Sequence, residues 1–419
     1  MIDLSDKTAL VFDRGSFMKL AERLGRDFKK VYYFNPCHKS TYPKFTEAMI
    51  GQGLKSENVE WIQDFYDVEP DIYVFPDSYD GDLQIHLRSL GKRVFGSGKC
   101  EELELLRCET LEYMAELGLP IPDYEEIKGL DALREYLKEN KDVYVKCDRY
   151  RGTFETFHSE NYKLSEPLLD KLESELGPAK NLLYFSVFDP IEGVEIAYDG
   201  YCIDGQYPEK TIYGIEVKDM GYIGHVKDYN KLYKEITNIN DKLAPTLKIN
   251  QYRNFISPEM RVDKKGVGYI QDFCCRQPSP VSECYYELLK NFSEIVWEGA
   301  DGVLIEPEFQ AEYAMTLVIS SDWAMEHWQA VYFPKEIGQW IKLRSYTIID
   351  GTYYIIPNVL DKNDCIGVVV AIGKSLEDCA KKINGYAELI KGYRINIPCA
   401  TVEKMQKEIE SGEKIGIKF

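Results

Sequence analysis

Residues 255–276 read FISPEMRVDKKGVGYIQDFCCR. The middle of this segment, Asp263-Lys264-Lys265-Gly266, has the composition of a tight turn. Apolar residues alternate with polar ones on either side of it, so the spacing predicts a β-hairpin. Glu259 falls on the first strand and Asp272 on the second. Arg276 shares a side with Asp272 and Cys274 by the period of two. Two carboxylates on adjacent strands can share magnesium, a hard ion that takes oxygen ligands. An arginine just beyond them can hold a phosphate or a carboxylate in its planar fork. The same residues also describe a cross-strand ion pair on a wet sheet, and the hairpin alone does not choose between the two.

Upstream, residues 142–146 (DVYVK) form an apolar strand that ends on Lys146, and the loop after it contains Gly152. From there a lysine can lean over a nucleotide whose phosphates meet the loop backbone. A solvated strand end is the plainer alternative. Before this strand, Leu103, Leu106, Thr110, Met114 and Leu117 recur at helical spacing and predict one helix over 99–117. Gly118 stops it in a left-handed conformation, and Pro120 and Pro122 prevent its continuation. Arg107 lies in the middle of that helix, in Leu105-Leu106-Arg107-Cys108, where an isolated arginine reads as a solvated face. In the first hundred residues, strands at 8–12, 30–34, 71–75 and 93–95 alternate with helical patterns, which indicates a parallel α/β layer. Ligands of such layers collect at the carboxyl ends of the strands, so residues 13–17 and 76–82 are the candidate substrate loops.

Strands are expected around 183–188, 195–203 and 212–217, and the polar stretch 227–252 reads as an inserted helical excursion. Beyond the hairpin, strands are expected at 314–319, 343–349, 353–356 and 366–372. A helix follows, capped by Ser375 with Asp378, buried along Leu376, Cys379, Ile383, Tyr386 and Ile390, and ended by Gly392.

A chain of 419 residues exceeds one compact core and predicts two or three domains. Its net charge of −19 repels phosphate backbones, which argues against direct wrapping of nucleic acid. No stretch approaches the roughly 20 apolar residues of a membrane span. The opening Met1-Ile2-Asp3-Leu4-Ser5-Asp6 has neither the basic nor the apolar region of a secretory signal. The 11 cysteines are odd in number and lack zinc spacing, so reduced thiols in the cytoplasm are the simplest expectation. The chain carries no GxSxG, HExxH or Walker lysine loop.

Taken in order, these pieces resemble the ATP-grasp superfamily, and within it phosphoribosylamine–glycine ligases. The resemblance begins at Val94-Phe95-Gly96-Ser97-Gly98-Lys99 and the helix through Arg107. It continues through Leu117-Gly118-Leu119-Pro120-Ile121-Pro122 and Tyr144-Val145-Lys146. Phe185 to Glu195 and Asp272-Phe273-Cys274-Cys275-Arg276 follow, and a C-terminal region from Ile366 to Pro398 completes it. The resemblance implies three parts: an N-terminal parallel α/β substrate domain over 1–97, an ATP-grasp domain of α+β type over 98–310 with its lid at about 144–215, and a small mixed domain over 311–419.

The resemblance also implies ATP and Mg2+ (or Mn2+) as cofactors. Arg107, Lys146, Gly152, Asp189 and Glu195 would bind the nucleotide, and Glu259, Asp272 and Cys274 the metal. Lys146 and Arg276 would act in catalysis. The partners would be a small-molecule carboxylate, an amino acid such as glycine, and an amine, joined through an acyl-phosphate by a monomer or homodimer. The sequence departs from the family where Asp13-Arg14-Gly15-Ser16-Phe17 replaces a glycine-rich element and where Cys274 replaces a metal-binding asparagine. Two alternatives follow. One is a divergent ligase that attaches an amino acid to a modified nucleotide or natural-product amine. The other is a non-catalytic ATP-binding relative.

Overall fold

The computed structural model describes residues 2–36, 50–54, 58–149, 156–357, 364–399 and 401–419. The chain forms two compact units. One comprises Met1–Glu101, Ile196–Pro258 and Cys274–Phe419, and the other Glu102–Glu195 and Glu259–Phe273.

The first unit opens with five parallel strands in the order Val59–Ile62, Lys30–Phe34, Thr8–Phe12, Ile72–Val74, Val94–Phe95. Alternate residues enter different cores, as the two-residue period requires. Ala9, Val11, Val31, Ile72 and Val74 pack into the main core with helix Met18–Leu24, while Leu10, Phe12, Tyr73, Phe75 and Val94 pack on the opposite face. A parallel sheet covered on both faces is the predicted α/β layer. Two expected loops, 13–17 and 76–82, follow its central strands at their carboxyl ends. The excursion at 227–252 contains helix Lys234–Ile249.

The hairpin forms as expected from Arg253–Asp263 and Gly268–Cys274, with Gly266 at φ +80 in the turn. Its strands begin an eight-stranded sheet, which continues through Gly193–Ile203, Lys210–Val217, Gly221–Asp228, Tyr313–Ser320 and Cys365–Gly373 to Ile341–Leu343. The strand expected over 343–349 is split. Ser345 takes φ +46, Ile341–Leu343 pairs with Cys365–Gly373, and Tyr346–Ile349 pairs with Thr352–Ile355. Ser375 caps helix Leu376–Ala387 by accepting the Asp378 N–H at 3.2 Å. The helix stops before Gly392 because Lys391 exchanges backbone hydrogen bonds with Tyr332, at 2.8 and 2.9 Å, and has left helical conformation.

The second unit has an antiparallel sheet ordered Tyr124–Lys128, Tyr184–Phe188, Val143–Cys147, Thr156–Ser159. Helices Leu130–Glu139 and Tyr162–Leu176 cover it around Leu133, Leu137, Val145, Leu169, Leu172 and Phe185. The single helix expected over 99–117 is instead a short turn at Gly98–Glu101, then helices Glu102–Leu105 and Arg107–Glu116. The break at Leu106 has its cause elsewhere in the chain. The Arg149 N–H donates to the Leu105 carbonyl at 2.7 Å, and Asp148 Oδ1 accepts the Cys108 N–H at 3.4 Å. Groups at the end of strand Val143–Cys147 thus satisfy what an unbroken helix would satisfy internally. Gly118 takes φ +66, the left-handed stop expected of it. Among the described residues no helix is long and apolar enough to cross a membrane.

Candidate active site

In strand Val143–Cys147 the residues Val143, Val145 and Cys147 enter the core of the second unit. The pleat therefore turns Lys146 to the other face. Lys146 is still only 9% exposed, because its ammonium donates to the Gln271 carbonyl and to Asp272 Oδ2 at 3.1 Å. Asp272 Oδ1 accepts its neighbour's Phe273 N–H at 3.0 Å. Burial alone would raise the Asp272 carboxyl. The Lys146 ammonium, and after it the Arg107 guanidinium, outweigh burial and hold the carboxyl below its usual range.

Arg107 is not on a solvated face. The break at Leu106 makes it the first residue of helix Arg107–Glu116, buried, with Nη1 donating to the Cys147 carbonyl at 2.9 Å. Asp148 holds this helix start through the Cys108 N–H. Burial lifts the Asp148 carboxyl above its ordinary value, against the pull of that N–H and of the Arg107 charge. Arg107, Lys146 and Asp272 thus stand together in one unit, with the Lys146 ammonium on Asp272 and the Arg107 charge acting on the same carboxyl.

The other expected residues are distributed differently. Glu195 forms an ion pair with Arg261 within the second unit. Asp189 is exposed just past strand Tyr184–Phe188, and Glu259 is half-buried on strand Arg253–Asp263. Gly152 lies outside the described residues. Among the described residues no three His, Cys, Asp or Glu side chains are grouped to hold a metal, so Glu259, Asp272 and Cys274 do not form a three-ligand cluster. Cys274 is a buried thiol, and a thiol suits magnesium poorly. The oxygens of Asp272 and Gln271 do fit a hard cation, since together they already seat the Lys146 ammonium.

Arg276 belongs to the first unit. Its Nε lies 3.6 Å from Asp77 Oδ1, and its Nη1 donates to the Gln277 carbonyl at 3.0 Å. The Gln277 N–H donates to the Pro76 carbonyl at 2.9 Å, which ties this segment to the loop after strand Ile72–Val74. The two candidate substrate loops are joined by Arg14 and Asp80, 3.0 Å apart, with the Arg14 guanidinium 5.8 Å from the Tyr79 ring centre. Tyr79 takes φ +79, a strained conformation for a non-glycine residue and one that clusters at functional sites.

Sequence reasoning missed Asp148, Gln271, Arg261 and Asp77. Asp148 carried a signal, an acid two residues past the strand-end lysine. Arg261 carried one too, since it follows Glu259 by one strand period. Gln271 acts through its carbonyl, which every residue has, and gave none.

No protein-family model matches the sequence, and no curated protein matches it. Solved structures do. Phosphoribosylamine–glycine ligase from Thermotoga maritima is 16% identical, with a TM-score of 0.67 over 93% of this chain and 98% of that one. The L-amino acid ligase of Bacillus licheniformis is 15% identical, with a TM-score of 0.61 over 94% and 100%. The biotin carboxylase domain of Hydrogenobacter thermophilus 2-oxoglutarate carboxylase, in complex with MgADP, ADP and bicarbonate, is 12% identical, with a TM-score of 0.64 over 98% of each chain. The chain has the ATP-grasp fold. Within that ATP-grasp fold, the lysine and the acid that the sequence singled out meet at 3.1 Å although 126 positions separate them in the chain.

Proposed function

We propose that the chain is an ATP-dependent carboxylate–amine ligase that works through an acyl-phosphate. The observation that carries this reading is the grouping of Arg107, Lys146 and Asp272 in one unit, with both cations acting on the same acid. Preorganised positive charge is what phosphoryl transfer needs, because the protein's share of that reaction is mostly positioning and charge neutralisation. Arg107 and Lys146 would face the triphosphate, with Asp189 and Glu195 toward the nucleoside. Asp272 and Glu259 would hold Mg2+, which when bound offsets charge on the outer phosphates.

The substrate carboxylate oxygen would attack the γ-phosphorus and ADP would leave. The amine nitrogen would then attack the acyl carbon, inorganic phosphate would depart, and the nitrogen's proton would pass to phosphate or solvent. Arg276, oriented by Asp77, would hold the carboxylate or the transferred phosphoryl group. The loops bearing Arg14, Tyr79 and Asp80 offer both charge signs, which suits a substrate carrying an amine and an acid. Glycine with phosphoribosylamine is one such pair. The altered loop at 13–17 favours an amino acid joined to a different amine. The described cysteines are all free thiols, in keeping with a cytoplasmic setting.

A panel of amino acids crossed with amines, with ATP and Mg2+, tests this through release of ADP and phosphate. Release that requires both a carboxylate and an amine is expected. Release with phosphoribosylamine and glycine alone would select the purine reaction, and release with no pair would end the ligase reading.

A further inference from the structure

The loop after Thr8–Phe12, the central strand of the parallel sheet, begins with a carboxylate that the fold encloses. Asp13 is 0% exposed. Its Oδ2 is engaged, accepting the Phe17 N–H at 3.0 Å and the Tyr33 hydroxyl at 2.7 Å. Its Oδ1 is buried and has no hydrogen-bond partner among the described residues. Buried polar groups are rarely left unpaired, so this oxygen calls for an explanation. The charge is as poorly served as the oxygen. Burial pushes the Asp13 carboxyl up to about 6, and the Asp77 carboxylate adds to this, against the Tyr33 hydroxyl and the N–H groups of Phe17 and Gly15. From helix Ser282–Leu288, Tyr286 feels the Asp13 charge and donates to Gln277 Oε1 at 2.7 Å. Gln277 Nε2 then has no partner among the described residues. The arginines of this region serve other acids, Arg276 at 3.6 Å from Asp77 and Arg344 at 2.9 Å from Glu283. A water could satisfy Asp13 Oδ1 but not its charge. A divalent cation needs about six oxygen ligands, and among the described residues no three acidic, His or Cys side chains are grouped to start such a shell. An ammonium answers both needs with one N–H.

We infer that Asp13 reads the amine substrate: its open oxygen takes an N–H of a primary ammonium, bound at the carboxyl end of the central strand. The inference rests on the ligase reading above and deepens it. It assigns the amine partner to loop 13–17 and its class to a primary amine that binds protonated. Bound this way, the amine gives one proton to solvent before its nitrogen attacks, and a second as the amide forms. Entry requires loop 13–17 to part from Ser345, whose N–H donates to the Gly15 carbonyl at 2.8 Å.

The experiment is calorimetric titration of the full chain with glycinamide, a primary ammonium without a carboxylate, and with its neutral counterpart N-acetylglycinamide. It is run from about pH 5 to about pH 7, a range that spans the Asp13 titration. Glycinamide should bind and N-acetylglycinamide should not. Glycinamide affinity should be complete above a pH of about 6 and fall about tenfold per unit below it, because the ionised carboxylate is the binding form. Asp13→Asn keeps one oxygen for Phe17 and Tyr33 and replaces Oδ1 with an NH2 group that cannot accept. It should weaken glycinamide about 10- to 100-fold and erase the pH dependence. Tyr33→Phe removes a hydrogen bond that favours the charged form, so the fall in affinity should begin at higher pH. This second variant carries the test if melting shows that Asp13→Asn does not fold. Equal binding of the two probes, no binding of glycinamide, wild-type affinity in Asp13→Asn, or an unmoved profile in Tyr33→Phe would each overturn the inference. In the ADP-release assay, Asp13→Asn should raise the KM for the amine and leave the KM for ATP unchanged. Release with an unchanged amine KM would keep the ligase and end this inference. Glycinamide binding that depends on Asp13, without ADP release from any pair, would end the ligase reading and leave the amine site standing.

Discussion

Two lysines in this chain sit in short apolar strands beside a carboxylate, one in each unit. Lys146 ends Tyr144-Val145-Lys146, and Lys342 lies inside Ile341-Lys342-Leu343. In sequence they look alike. In structure Lys342 and Glu287 are closed off, with side chains 4% and 6% exposed and 2.6 Å apart. Lys342 also donates to the Gln339 carbonyl at 2.5 Å, and Glu287 receives Arg26 at 2.9 Å. Asp272 keeps 23% of its side chain exposed and draws on Lys146 and its own neighbour's N–H. Burial and pairing therefore do not mark function by themselves. What distinguishes Lys146 is an acid partner that is still accessible. Lys342 is a strut in a closed pair, whereas Lys146 pairs with an acid that solvent still reaches.

The comparison breaks most easily at the strut. Lys342→Met leaves Glu287 buried with only Arg26 against it, and should cost about 3–5 kcal/mol of stability while leaving the ATP affinity of the folded fraction unchanged, as denaturant titration and calorimetry would show. Lys146→Met should do the reverse. It should lower ATP-dependent turnover by about 10²-fold or more, with a melting temperature close to wild type. If the two variants behaved alike, the distinction between the closed pair and the accessible one would be wrong.

The pH dependence sharpens the same contrast. Burial alone would lift the Glu287 carboxyl, but Lys342 and Arg26 outweigh it and hold it below its usual range. A carboxyl with a depressed folded pKa contributes stability that is complete above the unfolded value of about 4.3 and is lost as pH falls through the folded value. The acid arm of the wild-type stability curve should therefore contain a Glu287 component that disappears in Lys342→Met, measurable by melting from pH 6 down to about pH 3. The smallest expected effect is at Asp148. Asp148→Ala removes the acceptor at the start of the Arg107 helix and should cost about 1 kcal/mol, with a modest fall in ATP affinity as Arg107 loses its support.

Much of this was readable from the chain. The alternation in TALVF and in the 255–276 hairpin, and the Ser375 cap, depend on neighbours within a few positions, and those elements formed. What failed depended on distant groups. The unbroken helix over 99–117 is consistent with its own periodicity, and it breaks because Asp148 and Arg149, some forty positions on, take over the Cys108 N–H and the Leu105 carbonyl. Arg107 moved from the solvated face expected of it into a buried site for the same reason. The split at Ser345 likewise follows from two different pairing partners, Cys365–Gly373 and Thr352–Ile355, that no local pattern announces. Of the candidate site, the residue types were legible, whereas the Lys146–Asp272 contact and the part played by Gln271 were not. A backbone carbonyl leaves no mark in a sequence.

The second unit is assembled from two stretches of chain, Glu102–Glu195 and Glu259–Phe273. The apolar cluster against its four-stranded sheet draws, among the described residues, on positions between Ile127 and Val187, while the shorter stretch buries Met260, Val262, Ile270 and Phe273. Asp272 and the Gln271 carbonyl arrive only with the shorter one. Anyone who lifts the contiguous segment out as a portable nucleotide binder would obtain the lysine without its counterweight, and moving the site into another protein would require grafting at two points.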